Sequence, residues 1–513
     1  MLIALKARKT KRLLTRFCIF LFHTFQDSLY IRETMRGRTM RICIFLATIV
    51  SLLVAQQNEL KYLQYDTDLI PSAEYKARRD SVRAMIGLNA VAIFYSAPER
   101  MRNGDVDYLY RQADNFYYLT GFTEPNAILM LVPKGISVRM NDSTTQTVNE
   151  ILFVQNRDPH AEAWTGRRYG TVGAMKLLGM QAALTNDKFK SLFQRLLFSG
   201  ISYLYAQPIT SDVTGTLFEL LSPIQSFVDN VKRRNSKIEL RDPNAMVHTM
   251  RIVKSKNEIE MLRKATEISV VAHNQAMMSV EPGMYEYELQ ALYEYVFQRQ
   301  GAEYYGYPCI NGAGENSVIL HYNTNRKKIN NGDIVISDCA AEYRGYSSDV
   351  TRTYPANGKF TKEQKEIYQI VLNAQKAAIA TIKPGVLWNE VTAAADSVIA
   401  EGLFVLGITK SKTGMAFKKF FNHGLGHPVG LNVHDVGQEK LISGMLYTVE
   451  PGIYIPENSE GVDRKYWNIG VRIEDVILVT ETGNENLSAG APREITEIES
   501  LMKKKGIGNQ PLK

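Results

Sequence analysis

Between residues 338 and 474 the chain offers four carboxylates and one imidazole on separated strand-like segments: Asp338, Asp349, His427, Glu450 and Glu474. Asp338 closes the apolar run Asp333-Ile-Val-Ile-Ser-Asp338, and Asp349 stands eleven residues later in Ser347-Ser-Asp-Val-Thr-Arg-Thr353. Residues an odd number apart on one strand face opposite ways. The two aspartates can therefore converge only from two strands joined by a turn, which the sequence places at Glu342-Tyr-Arg-Gly345. His427 ends His423-Gly-Leu-Gly-His427, Glu450 precedes Pro451-Gly452, and Glu474 follows Gly470-Val-Arg-Ile473. Hard oxygen donors with one imidazole, and no thiolate, suit two adjacent divalent ions bridged by shared carboxylates; manganese, zinc, cobalt and iron all fit such a set. Singly, each acid has a plainer reading as a turn residue or loop entry. The order and flanks of all five set that aside.

On these residues the sequence resembles the pita-bread metallopeptidases, and within them the aminopeptidase P (Xaa-Pro aminopeptidase) and prolidase branch. The resemblance implies that the five positions hold a dinuclear centre, with manganese as the leading metal. It extends to His321 in Ile319-Leu-His-Tyr322, to His423, and to His434 in Leu431-Asn-Val-His-Asp-Val436, which match the family's non-ligand active-site histidines. One flank departs from the pattern: Cys339 follows the first ligand where Ala or Gly is common, adding an oxidisable group beside the site. Earlier in the chain, Tyr110-Arg-Gln-Ala-Asp-Asn-Phe-Tyr-Tyr-Leu-Thr-Gly-Phe122, Glu124-Pro125 and Glu162-Ala-Trp-Thr-Gly-Arg-Arg168 look like the N-terminal domain of aminopeptidase P. In the family that domain helps wall the active site, at times that of a neighbouring subunit. This implies a homo-oligomer, dimer or tetramer, and a substrate-side role for Trp164.

The chemistry expected of such a site is hydrolysis of peptides with proline at the second position. Paired cations lower the pKa of a shared water enough to supply hydroxide near neutral pH. Glu450 is the expected proton shuttle from that water to the leaving prolyl nitrogen. His321, His423 and His434 are expected to donate hydrogen bonds to substrate and to the tetrahedral oxyanion. Arg472, two residues before Glu474, alternates to the same strand face and should orient the ligand carboxylates. A prolidase restricted to Xaa-Pro dipeptides shares every ligand, and the stretches at 110–125 and 162–168 speak for the aminopeptidase. Non-catalytic peptide-binding or creatine-hydrolysing relatives lack the metal set and fit less well.

To position these residues the resemblance implies an α/β (α+β) chain: an N-terminal α/β domain, which the alternation of helix-like and strand-like stretches also supports, followed by a pita-bread catalytic domain. Tyr75–Ile86 reads as a charged amphipathic helix, Ala90–Tyr95 as a buried strand, and Ala127–Val132 as another, ended by Pro133-Lys-Gly135. Asn141–Thr147 reads as a polar hairpin tip before Glu150–Val154. Arg241–Ala245 is the expected linker, so the domains run 58–245 and 246–513. A long helix is expected over Arg251–Met278, then helices over Glu286–Gln300, Lys362–Ile382 and Asn389–Leu403.

The 513 residues carry a formal net charge of +8. Ten of the 61 basic residues but only two of the 53 acidic ones lie in residues 1–55, leaving 51 of each elsewhere. The body is thus neutral, and a nucleic-acid partner has no support. In the leader, residues 1–57, three arginines precede the apolar run Ile42–Ala55, which breaks into Gln56-Gln-Asn-Glu59. That order is the anatomy of a secretory signal, too short for a comfortable membrane span. Export with cleavage after Ala55 is the expectation, and an organellar (mitochondrial) transit peptide over Lys6–Arg16 the alternative. Cys309 and Cys339 are the only thiols outside the leader, too few for a disulfide framework.

Overall fold

Val91, Ile93 and Tyr95 point to one side of the strand Ala90–Tyr95 (β1), Ala90, Ala92 and Phe94 to the other, and all six are buried. The same two-way division repeats in Ile128–Arg139 (β2), where Leu129 and Leu131 join one core and Ile128 and Met130 the other. It repeats again in Thr145–Val154 (β3). A sheet buried on both faces reads as continuous apolar runs and must be covered on both sides. The computed structural model describes residues 65–140, 143–197, 200–234 and 237–510. The leader, its apolar run and the first residues of the expected hairpin tip lie outside the described residues. With Ala183–Thr185 (β4), Tyr203–Ala206 (β5) and Glu239–Arg241 (β6), the sheet runs in the order β4-β3-β2-β1-β5-β6. Its β2 neighbours are antiparallel, and the outer pairs are parallel.

Pro133-Lys-Gly135 does not end β2. Leu131 faces Glu150 and Ile136 faces Val148, so four residues of β2 oppose Asn149 alone. The Asn149 side-chain amide donates to the carbonyls of Val132 and Pro133 at 3.4 and 2.8 Å, satisfying the backbone that the bulge frees.

One face of this sheet packs on Phe189, Phe193, Leu217 and Leu221 of two flanking helices. The other face shares a core with Leu262, Ala265, Ile268, Tyr343 and Tyr346 of the C-terminal half. From Asp68 onward, apart from Ala163–Arg167, the chain is one compact unit. The expected linker is short: β6 ends at Arg241 and a helix starts at Asn244. The helix expected from Arg251 to Met278 starts later, at Lys256, and runs to Ser279, because Ser255 takes an extended conformation and caps it reciprocally with Glu258; Arg251 instead ends a separate helix, Asn244–Arg251.

The C-terminal half repeats one plan, two helices followed by antiparallel strands. Lys256–Ser279 (α1) and Glu286–Arg299 (α2) precede Ile310–Ala313 (β7), Ile334–Asp338 (β8) and Thr351–Pro355 (β9), ordered β7-β8-β9. Lys362–Thr381 (α3) and Trp388–Val405 (α4) precede Leu446–Val449 (β10), Gly452–Ile455 (β11), Ile469–Arg472 (β12) and Asp475–Val479 (β13). In this second set β10 pairs with β13 and β11 with β12. The two sets are stitched across β9: the Thr353 hydroxyl donates to the Arg472 carbonyl at 2.7 Å, and the Glu474 N–H to the Thr351 carbonyl at 3.1 Å. No helix among the described residues is long and apolar enough to cross a membrane.

Candidate metal centre and active site

Asp338 is the last residue of β8, facing Ile310 of β7 on one side and Thr351 of β9 on the other. Beyond it the chain forms the hairpin Ala341–Tyr343 and Tyr346–Ser347, turned on Arg344 (φ 51°) and Gly345 (φ 77°). Two consecutive left-handed residues give the turn whose twist matches its strands. This is the turn read from the odd Asp338–Asp349 spacing, and it returns Asp349 to the side of Asp338.

A second irregularity adds a residue that the spacing of ligands did not reveal. Tyr305 faces Ala341 while Ile310 faces Asp338, so residues 306–309 oppose only Cys339 and Ala340. Bulges re-aim side chains beside active sites. Here the Tyr307 hydroxyl stands 2.5 Å from an oxygen of Asp338 and 2.5 Å from one of Asp349. One hydroxyl proton cannot serve both. Burial raises the Asp338 pKa, opposed by Arg472 and aided by Asp349.

His427 places Nδ1 3.0 Å from the Pro428 carbonyl, which turns Nε2 towards Asp349 and Glu450 at 3.4 and 3.6 Å. Burial opposes its protonation, but the two carboxylates outweigh it and lift the imidazole pKa to about 9. Glu450 follows β10, and Glu474 lies between β12 and β13, accepting from the Thr351 hydroxyl at 2.7 Å. Ligand atoms of Asp349, His427 and Glu474 lie within 4.8 Å of one another. All five residues read as ligands line one pocket of about 560 Å³, with His321, His423, His434 and Arg472. Desolvation first, and neighbouring acids next, push Glu474 well above the carboxylate range; desolvation carries Glu450 to about 8. Among the lining residues Arg472 is the sole permanent cation facing four acids. A donor set of this charge and hardness fits divalent cations.

Arg472 does what alternation implied, and more. Its Nη2 donates to Asp338 at 2.7 Å and its Nη1 to the Tyr454 hydroxyl at 2.9 Å. That hydroxyl lies 2.9 Å from Nε2 of His423, whose Nδ1 is 2.8 Å from the Gly424 carbonyl. Both nitrogens of His423, which lines the pocket, are thus engaged within the protein. Burial and Arg472 depress its pKa to about 4, so it is neutral and orients Tyr454. His321 and His434 are exposed at the pocket, and the His434 ring packs 3.9 Å from that of His427. Cys339 is fully buried, its thiol directed at the Ile310 carbonyl and the Asn311 side chain, so the oxidisable group expected beside the site is shielded. Trp164, on the helix Pro159–Thr165, is 82% exposed. Tyr307, Tyr454 and Thr351 were absent from the sequence reading; Tyr307 lay in the aromatic run Tyr304–Pro308, but only the bulge aims it.

A family profile described as "Metallopeptidase family M24" matches residues 260–481, and one described as "Aminopeptidase P, N-terminal domain" matches residues 75–205. The chain is 39% identical over 453 residues to the Xaa-Pro aminopeptidase of Escherichia coli (strain K12), covering 84% of this chain and 98% of that protein. The chain belongs to the aminopeptidase P family. It is also 32% identical over 450 residues to Xaa-Pro aminopeptidase 3 of Homo sapiens, covering 84% of this chain and 86% of that one. The solved structure of E. coli aminopeptidase P with the inhibitor Pro-Leu is similar at a TM-score of 0.76 and 38% identity, covering 85% of this chain and 98% of that chain. This aminopeptidase P family member is therefore a metallo-exopeptidase that uses divalent metal ions, with the N-terminal domain ahead of a pita-bread domain.

Proposed function

We propose that the 560 Å³ pocket removes the N-terminal residue from peptides whose second residue is proline, with two divalent ions held by Asp338, Asp349, His427, Glu450 and Glu474. The observation that carries this reading is the convergence of four acids and one imidazole on a pocket with a single permanent cation. Divalent ions, when bound by these residues, would supply a water of lowered pKa and Lewis acidity toward the scissile carbonyl. Carboxylate-rich ligation favours manganese, with zinc, cobalt or iron able to substitute.

The protein's own groups do the rest. Glu450, at the pocket 3.6 Å from Nε2 of His427, is the acid placed to carry a proton from water to the prolyl nitrogen. That nitrogen has no hydrogen of its own, so protonation is required before it leaves. Arg472 holds Asp338 and Tyr454 in place, and His423 holds Tyr454 from the other side. His321 and His434, without partners in the ligand set, present N–H groups to the substrate carbonyl as it becomes an oxyanion. Burial and the neighbouring His427 lower the His434 pKa, which keeps it a neutral donor. The match of the aminopeptidase P N-terminal domain over residues 75–205 favours the aminopeptidase over a prolidase.

We further assign the exposed Trp164 to the active site of a neighbouring subunit, making the enzyme a homo-oligomer, dimer or tetramer. Export is assigned from the charge and apolar order of residues 1–57 alone; N-terminal sequencing of the native protein should find the leader removed.

The deciding experiment is digestion of an Xaa-Pro dipeptide and an Xaa-Pro-Yaa peptide by manganese-loaded and chelator-treated protein, read by mass spectrometry. Loss of one residue from the longer peptide, abolished by chelation, is expected. Cleavage of the dipeptide alone would make it a prolidase. His321→Ala and His434→Ala should keep their metal, change KM modestly and lose kcat by roughly a hundred-fold, the scale of an oxyanion donor.

A further inference from the structure

His434 is exposed, yet the next residue is among the most firmly held acids in the chain. The Asp435 carboxylate is buried, 2.5 Å from Nη2 of Arg251 and 3.1 Å from the Lys254 amine, and both cations are buried too. Its own N–H donates to the Pro428 carbonyl at 2.9 Å, closing the loop that leaves the ligand His427 and returns with His434. The carboxylate lies flat against that loop: a Cβ on Gly430 would stand 2.0 Å from Asp435 Oδ2. Arg251 continues into the N-terminal half, donating from Nη1 to Asn115 at 2.7 Å. Arg111 grips the same loop from that half, donating to the Leu431 carbonyl at 2.6 Å and to Glu342 at 2.6 Å.

We infer that Asp435, clamped by Arg251 and Lys254 at the junction of the two halves, is the positioning residue for His434. The inference rests on the reading of His434 as a substrate-facing donor. Among the described residues the exposed imidazole has no hydrogen-bond partner and its ring packs on that of His427, so the backbone at 434 and 435 sets where its N–H points. A displacement of about 1 Å at a donor can cost on the order of a hundred-fold in rate. The clamp also explains why the loop is tied to residues 111–115 and 251–254: the N-terminal half and the segment that enters the catalytic half together supply the fixed frame for this group. A buried carboxylate between two buried cations has one low-energy arrangement, since moving it strands uncompensated charge.

The test is a double-mutant cycle on the manganese-loaded enzyme with an Xaa-Pro-Yaa peptide, comparing wild type, Asp435→Asn, His434→Ala and the double variant. Asp435→Asn should keep its manganese, shift KM by less than about 3-fold and lower kcat by roughly 10- to 100-fold. In the His434→Ala background the same change should lower kcat by less than about 3-fold. Equal losses in both backgrounds would overturn the inference, because Asp435 would then act on the fold at large. Should Asp435→Asn not fold, Lys254→Met leaves the Arg251 pair intact. It should give a smaller kcat loss that again disappears in the His434→Ala background, and persistence of the loss there would count equally against the proposal. A His434→Ala enzyme with wild-type kcat would instead remove the reading of His434 itself, and the inference with it.

Discussion

Glu474 and Asp475 are neighbours in the chain, both buried acids, on opposite faces of the same strand edge, and their surroundings are opposite. Asp475 meets Arg352 at 2.7 Å, Arg493 at 2.7 Å, the Ser488 hydroxyl at 2.7 Å and the Asn486 amide at 2.8 Å. Burial works against its charge, but the two guanidiniums outweigh it and hold the carboxyl below the usual range. Glu474 receives one hydroxyl, that of Thr351, and otherwise faces Asp349, Glu450 and Asp338, which leaves it well above that range. Glu150 in the N-terminal sheet behaves like Asp475, lowered by Arg79 and Arg83 despite its burial. The fold thus neutralises Asp475 and Glu150 with paired guanidiniums and leaves Glu474 among other acids. That deficit of positive charge is what a divalent ion fills.

The sharpest way to test this contrast is Glu474→Gln. Losing a ligand charge should deplete the metal and lower kcat/KM by roughly a thousand-fold or more, since ion-based stabilisation amounts to several kcal/mol and each 1.36 kcal/mol is tenfold. The chelated variant should be no less stable to urea than chelated wild type, because the amide removes the cost of ionising a buried acid among other acids; a clear loss of stability would break the comparison. Asp475→Asn should do the reverse. Stranding Arg352 and Arg493 should destabilise the protein by about 3–5 kcal/mol in urea unfolding, while the metal content of the folded fraction stays near wild type.

The smallest of these effects is the pH dependence of the metal-free protein. Glu450 rises from 4.5 to about 8 and His427 from 6.5 to about 9, so between those values the folded chain holds protons that the unfolded chain has released. Stability from these groups is present at low pH and is lost as pH climbs through about 8 to 9. Thermal melts of chelated protein should therefore fall in midpoint from pH 5 to pH 9, and saturating manganese should raise the midpoint more at pH 8 than at pH 6. A flat profile in the chelated protein would mean that the pocket acids are compensated by groups other than bound cations.

The sequence by itself determined the hard donor set, the turn that brings Asp338 and Asp349 together, the alternation that turns Arg472 to the pocket, and the helices read at 75–86, 286–300, 362–382 and 389–403. Those features are local. A donor atom, an odd or even spacing and a cap each act over a few residues, so their physics is written in the order of the chain. Only the tertiary structure decided the rest. The bulge at 306–309 aims Tyr307, the Tyr454 hydroxyl and Gly424 carbonyl take both nitrogens of His423, and the break between the helices ending at Arg251 and starting at Lys256 puts two cations on Asp435. Pro133-Lys-Gly135, read as a strand end, became a bulge because Asn149 on the next strand satisfies its carbonyls. Glu474 and Asp475 differ by one methylene and one position, and no pattern along the chain separates ligand from framework there. What separates them is which charges lie within a few ångströms across the fold, a property of chain segments more than a hundred residues apart.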